Sequence, residues 1–303
     1  MPDPTLRDEL ARVFADWHTN LSSQWTTFFA AISPALGAVD PALVLDHERF
    51  VFPGSKASRP NGAPSGSHAL RPFETVTPAA VRVLVIGQDP YFDVGQATGR
   101  SFEQGDLVDW RTKRPTASIR RLIQAVAQFR RPPGSAYLVE KGGWDAVAKD
   151  VESLALEPPT SLWNRWEKAG VMFVNAAFTI SSRDKNLAPE AEKQRQQLFR
   201  MNGHAPFWRP VLNGLIVGLA NRTNTPLVVV TWGNDAKQTV KDSGMQAAAG
   251  TRWQTEVRQV SRVHPSNMPT IKGAPRFPFL DGKNPLVEVN DALEAAGASP
   301  ISW

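Results

Sequence analysis

Four short runs of consecutive apolar residues punctuate the chain: Val83–Ile86, Val171–Val174, Leu227–Val230 and the more mixed Val257–Val263. Unbroken runs of this length, rich in β-branched residues, are what a strand covered on both faces of a parallel sheet requires. The first predicts a buried strand over 81–87. Each run stops at a polar or glycine-bearing turn: Gly87-Gln88-Asp89-Pro90, Asn175, Thr231-Trp232-Gly233 and His264-Pro265-Ser266-Asn267-Met268-Pro269. Between the runs the apolar positions recur at three and four residues, the signature of a helix face. Pro115 opens a helix near Thr116–Gln128 with Ile119, Leu122, Ile123 and Val126 on one side. Further helices are predicted around Leu162–Lys168, through Val211–Leu219 and over Pro285–Ala296. Residues 1–50 read as mostly helical, with Leu6, Leu10, Val13, Phe14 and Trp17 on one face and Trp25, Phe28 and Phe29 after a polar break.

The remaining segments read as loops. Residues 53–72 are rich in Pro, Gly and Ser, residues 93–101 carry Gly95 and Gly99, and 181–206 is a polar stretch. Residues 131–160, bounded by Pro132-Pro133-Gly134 and Pro158-Pro159, look like an insertion. Strands separated by segments long enough for crossovers predict an α/β fold: three α/β/α layers around a central four-stranded, mostly parallel sheet. The expected organisation is one domain over 1–303, with a helical N-terminal extension to about residue 50 and the insertion at about 131–160.

Composition narrows the class. With 303 residues and 42% hydrophobic content the chain can bury a substantial core. No run of about 18 apolar residues exists, so no membrane helix is expected. The start, Met1-Pro2-Asp3-Pro4, lacks an apolar signal core. Zero cysteines exclude disulfides and thiolate metal sites and fit a reducing, cytoplasmic setting. The net charge of +5 suits a polyanionic partner. From Trp110 to Arg131 there are seven basic residues and no acid. That is either a solvated helix face or a phosphate-facing stripe; the latter is the favoured reading.

The chemistry gathers where the strands end. Gln88, Asp89, Tyr91, Asn175, Trp232 and His264 all sit at or just beyond strand carboxyl termini. In a parallel sheet those ends share one edge, where open α/β sheets place their sites. For the first segment alone, a strand followed by a polar loop with Asp89 as a helix cap is an equal alternative.

Gly87–Tyr91, Asn175, Trp232-Gly233 and His264-Pro265-Ser266, in this order, resemble the uracil-DNA glycosylase family, in its classical uracil-excising branch. Val51-Phe52-Pro53, Arg71-Pro72-Phe73, Gly95-Gln96-Ala97 with Gly99, and Asn290–Leu293 with Pro300–Trp303 extend the likeness over most of residues 50–303, less the insertion. The resemblance implies base flipping and hydrolysis of the N-glycosidic bond of uracil in DNA, leaving an abasic site. It implies Asp89 as the carboxylate that stabilises the sugar cation and orients water, and His264 as the neutral donor to the departing base. Asn175 would read the polar edge of uracil, Tyr91 would crowd C5, Phe102 would stack on the base and Gln88 would line the loop. Pro115, Ser118 and Ser266 would lie at DNA phosphates, and Met268 would be the apolar wedge in the base stack. Trp232 reads as core. No metal or cofactor is implied. The implied partners are uracil-containing DNA, single- or double-stranded, and the family's DNA-mimicking protein inhibitor, with the enzyme a monomer.

The chain departs from the pattern at several positions. Phe92 stands where the family usually has histidine, Asp93 and Thr98 replace other expected residues, and Asn267-Met268 replaces the usual Pro-Leu. The serine–histidine pairing expected after Thr179 is missing locally, with Ser181-Ser182 in its place. Two other functions stay open: a glycosylase of this fold for a different modified base, and a DNA-binding module that captures flipped bases without cleaving them. A nucleotide-binding α/β protein is poorly supported, because no Gly-rich loop of dinucleotide or P-loop spacing occurs.

Overall fold

In the computed structural model, residues 3–46, 48–131, 137, 143–184, 186–268 and 277–303 are described. The predicted sheet forms from β2 (Val83–Gly87), β3 (Val171–Asn175), β5 (Leu227–Trp232) and β6 (Val257–Arg262), in the order β3-β2-β5-β6 and with every neighbouring pair parallel. Side chains alternate between two cores, as the pleat demands. Leu84, Ile86, Met172, Val174 and Val229 enter one, while Val83, Val85, Val171, Phe173 and Val228 enter the other. β2, β3 and β5 are therefore buried on both faces, which explains their continuous apolar runs, whereas the edge strand β6 is only partly covered.

The first core is closed by α1 (Leu6–Phe14), α2 (Ser23–Phe28), α7 (Ala205–Ala220), α8 (Asn234–Ser243) and α9 (Met245–Ala249). The second is closed by α3 (Ala117–Arg130), α4 (Gly143–Lys149), α5 (Pro159–Lys168) and α10 (Pro285–Ala295). This is the three-layer arrangement expected. The N-terminal residues Leu6, Leu10, Phe14, Trp25 and Phe29 are buried in the same core as the sheet. In the expected insertion, Trp144, Val147, Val151, Leu154 and Leu156 pack into the second core; 132–136, including Pro132-Pro133-Gly134, and 138–142 lie outside the described residues.

Several expectations change. Residues 1–50 are helical mainly over 6–28, after which only a short turn at Leu36–Ala38 is regular. The polar stretch 181–206 contains β4 (Ile180–Ser181), paired antiparallel with β1 (Val51–Phe52), then α6 (Pro189–Phe199) and the wide turn Arg200–His204 that runs into α7. Helix α6 buries Glu192, Gln196 and Phe199 and leaves Leu198 exposed. Its buried face is largely polar, so apolar periodicity does not reveal it. The helix expected at Val211 begins at Ala205 and carries Pro210 inside it.

The basic stripe is also revised. Arg111, Lys113, Arg114 and Arg130 pair with Glu152, Asp106, Asp145 and Glu157. Arg131 donates to the Ser153 carbonyl at 3.1 Å. Carboxylates distant in sequence neutralise much of the run, which weakens the phosphate-facing reading.

The topology fixes where a ligand can go. The chain leaves β2 for β3 on one side and later adds β5 on the other side of β2. The strand order thus reverses beside β2, and the crevice at the carboxyl ends there is where such sheets bind ligands.

Candidate active site

Gly87 closes β2 and stands directly opposite Asn175, the last residue of β3. A Cβ on residue 87 would fall 2.5 Å from Asn175 Oδ1 and 2.7 Å from Ser101 Cβ, so only glycine leaves the amide its space. Asn175 is buried, and its Nδ2 has no partner. A buried amide donor without a bond is costly unless a ligand completes it.

Asp89 follows two residues after the strand, its side chain only 10% exposed. Oδ1 has no hydrogen-bond partner, and Oδ2 faces Arg200 Nε at 3.6 Å. Arg200 also reaches Asp235 Oδ2 at 3.4 Å through Nη1. Burial pushes the Asp89 carboxyl up to about 7, with Arg200 opposing the shift and Asp235 adding to it. Tyr91 packs at the edge of the second core. Its hydroxyl lies 3.1 Å from Thr116 Oγ1, and the Thr116 N–H donates to Gln104 Oε1 at 2.9 Å. Burial raises the phenol above its ordinary value, so it stays neutral.

His264 comes from the turn after β6. Gly233, with φ of 111°, passes close enough that a Cβ there would meet His264 Cβ at 3.2 Å. His264 Nδ1 accepts the Ser266 backbone N–H at 3.1 Å and lies 2.7 Å from Ser266 Oγ. A nitrogen that accepts a backbone N–H carries no proton, so the neutral ring holds its proton on Nε2. Burial lowers the imidazole pKa, with Asp235 opposing, which favours the neutral form. Phe102 holds the left-handed conformation, φ 59°, rare for an aromatic residue. Its ring sits 5.9 Å from that of His264 and edge-on to Trp232 at 5.4 Å.

These groups share one cavity of about 160 Å³, lined by Gly87 through Phe92, Phe102, Ser118, Asn175 and His264 among others. That is below the roughly 300–1,000 Å³ of drug-sized pockets and suits a single ring. The sheet edge has therefore gathered Gln88, Asp89, Tyr91, Phe102, Ser118, Asn175 and His264. Trp232 backs Phe102 from the core, as expected. Pro115 is buried beside the site, and its carbonyl accepts Arg120 at 2.6 Å. Ser266 and Met268 lie exposed on the turn after His264, and Pro269 lies outside the described residues. Among the described residues no group of three His, Cys, Asp or Glu side chains could hold a metal ion.

Sequence reasoning missed several residues. Asp235 lies two positions after Gly233 and was accessible to the same strand-end logic. Arg200 had no such signal, because it comes from the end of α6. The expected serine–histidine pairing is present in space: His204 Nε2 lies 2.8 Å from Ser181 Oγ, and Nδ1 lies 2.9 Å from Thr179 Oγ1. Trp208 Nε1 donates to that threonine at 2.8 Å. Full burial holds His204 down to about 3, hence neutral. Behind Phe102, Arg100 binds Glu167 at 2.7 Å and Glu103 at 3.2 Å, bracing the loop from within.

No protein-family model matches the chain. The sequence is 28% identical over 241 residues to a uracil-DNA glycosylase of Mycobacteroides abscessus, covering 79% of this chain and 80% of that one. It is 28% identical over 227 residues to a uracil-DNA glycosylase of Oleidesulfovibrio alaskensis, covering 74% of each. The fold superposes on a mutant UNG from Nitratifractor salsuginis with a TM-score of 0.51 at 19% identity, covering 86% of this chain and 90% of that one. A mimivirus UNG variant, crystallised in complex with UGI, gives 0.50 at 15% identity over 97% and 87%. The named bacterial relatives, together with the shared α/β fold, support a place for this chain among the uracil-DNA glycosylases.

Proposed function

We propose that this chain is a monofunctional uracil-DNA glycosylase that hydrolyses the N-glycosidic bond of uracil in DNA and leaves an abasic site. One observation carries the reading: a carboxylate, an amide and an imidazole from three strand ends line one cavity the size of a single base.

Breaking the bond builds positive charge on the sugar and negative charge on the base. The Asp89 carboxylate stabilises the cation, and its unpartnered Oδ1 orients the attacking water. His264 donates its Nε2 proton in a hydrogen bond to the uracil O2, an oxyanion-hole effect worth roughly 3–4 kcal/mol in other enzymes. Asn175 accepts from N3–H and donates its free Nδ2–H to O4, whereas cytosine offers the reverse pattern. Tyr91 crowds C5 against a methyl group, Phe102 stacks on the base and Gln88 lines the entrance. Ser118, with the buried Pro115 behind it, and the turn carrying Ser266 face DNA phosphates while the Ser266 hydroxyl holds His264, and Met268, 48% exposed, is the wedge that fills the vacated stack.

The chain acts as one domain and as a cytoplasmic monomer, and a DNA-mimicking protein inhibitor would compete for the same face. No helix among the described residues is long and apolar enough to cross a membrane.

The test is an excision assay on a uracil-containing oligonucleotide, with and without such an inhibitor. Abasic product from uracil alone supports the reading. Cleavage only of another lesion in a panel would assign a different base, and a tight complex without abasic product would assign capture without chemistry. Tyr91→Ala should admit thymine; an unchanged uracil-over-thymine ratio would remove that contact.

A further inference from the structure

Beside the base-sized cavity opens a larger cleft of about 920 Å³ that shares Gln88, Asp89 and Phe92 with it. Phe92 therefore stands on the rim common to both. The residue is 40% exposed, and among the described residues it is the one aromatic side chain in the exposed apolar set. The guanidinium of Arg183 lies over that ring, 5.0 Å from its centre. Arg183 is exposed, on the segment after β4, and makes no ion pair among the described residues. Its neighbour Asp184 is engaged by Arg49.

An exposed ring under a cation that no carboxylate among the described residues pairs with directly gains only a modest cation–π contact in the free protein. The same pair is what single-stranded nucleic acid requires: a flat face for a base and a positive charge for the phosphate beside it. Position selects the strand. With a base seated in the small cavity and its sugar at Asp89, the rim where Phe92 stands offers a route for an adjoining nucleotide into the larger cleft.

We propose that Phe92 and Arg183 form a subsite for the nucleotide next to the everted one, with its unpaired base stacked on the Phe92–Arg183 pair and its phosphate held by Arg183. This rests on the small cavity being the base site. The ligand class is the single-stranded flank of a DNA substrate. The far wall of the cleft, with Lys193 and Gln197 on α6, guides the strand beyond.

The experiment uses the full chain and two single-stranded oligonucleotides carrying one uracil. In the first, the flanking nucleotides bear normal bases; in the second, both immediate neighbours are tetrahydrofuran abasic analogues. Phe92→Ala should raise KM about ten-fold on the first, within the range of one base–aromatic stack, and raise it far less on the second. Phe92→Trp should retain wild-type KM. Arg183→Ala should flatten the dependence of log KM on log salt by about 0.7, one single-strand phosphate, and Arg183→Lys should restore that slope. A Phe92→Ala enzyme with unchanged KM on the first substrate, or an equal rise on both, would overturn the subsite. Failure of the wild-type protein to excise uracil from either would overturn the function on which it rests.

Discussion

Arg200 Nε lies 3.6 Å from Asp89 Oδ2, while the same guanidinium reaches Asp235 at 3.4 Å, so one cation serves two carboxylates at the mouth of the site. Burial drives the Asp89 carboxyl up to about 7, Arg200 pulls it down and Asp235 pushes it up. In the proposed mechanism Asp89 acts as the ionised carboxylate, so activity should rise with pH through a limb near 7. Arg200→Gln should move that limb to higher pH and cut kcat several-fold at pH 7, with Arg200→Lys intermediate. Asp235→Asn should move it the other way, although Asp235 also acts on His264. Profiles of kcat against pH for the three variants check the assignment; superimposable limbs would dissociate these groups from Asp89.

The same burial makes Asp89 a stability liability. Its carboxyl binds a proton more tightly folded, at about 7, than at the ordinary 3.8. The folded state thus gains below pH 3.8 and loses that gain as pH rises through 7. Asp89→Asn should abolish excision by orders of magnitude and yet raise the melting temperature at pH 8, by on the order of 1 kcal/mol of stability. The increment should shrink towards pH 5. Thermal unfolding of both proteins across that range is the measurement, and a variant less stable at pH 8 would contradict it.

The residues that were legible in the sequence are those tied to the sheet. Continuous apolar runs have one economical solution, a doubly covered parallel strand, and it fixes the side of the molecule on which Asp89, Asn175 and His264 emerge. Arg200 and His204 were not legible as site neighbours. They come from a segment whose helix α6 buries Glu192 and Gln196, so hydrophobic periodicity is silent there. The ion pairs that neutralise the 110–131 stripe join residues up to 41 positions apart, and no local pattern reports them. The serine–histidine pair failed for the same reason: Ser181 and His204 meet across the sequence of α6.

Gly87 tests whether Asn175 needs the space the backbone leaves it. Gly87→Ala would set a methyl carbon 2.5 Å from Asn175 Oδ1 and 2.7 Å from Ser101 Cβ, and Ser101 Cβ is fixed to the backbone and cannot rotate away. Relief must come from rotation of the amide together with a backbone shift at residue 87 or Ser101, and either displaces Asn175 from its observed position. The variant should fold, at a cost of about 1–3 kcal/mol for overpacking, and lose at least a hundred-fold in excision. Binding of free uracil, followed by calorimetry, should weaken in parallel. Wild-type activity in Gly87→Ala would show that the amide does not need its observed position.

Ser266 decides between two uses of one hydroxyl. Its Oγ lies 2.7 Å from His264 Nδ1, beside the backbone N–H that donates to the same nitrogen at 3.1 Å. The backbone donor fixes Nδ1 as the acceptor and leaves the proton on Nε2, so the Ser266 hydroxyl also donates to Nδ1, and burial favours the neutral ring. The backbone donor survives substitution, so Ser266→Ala should not reverse the tautomer. It should loosen the ring and lower kcat two- to ten-fold, the range of one neutral hydrogen bond, with little change in KM. Nitrogen NMR of the imidazole should report the Nε2–H form in wild type and variant alike. A hydroxyl that instead serves a DNA phosphate would give the opposite split: kcat preserved, KM raised and a shallower salt dependence. Measuring both parameters at two salt concentrations separates the roles, because orienting an imidazole acts after the substrate is bound whereas a phosphate contact acts on binding itself.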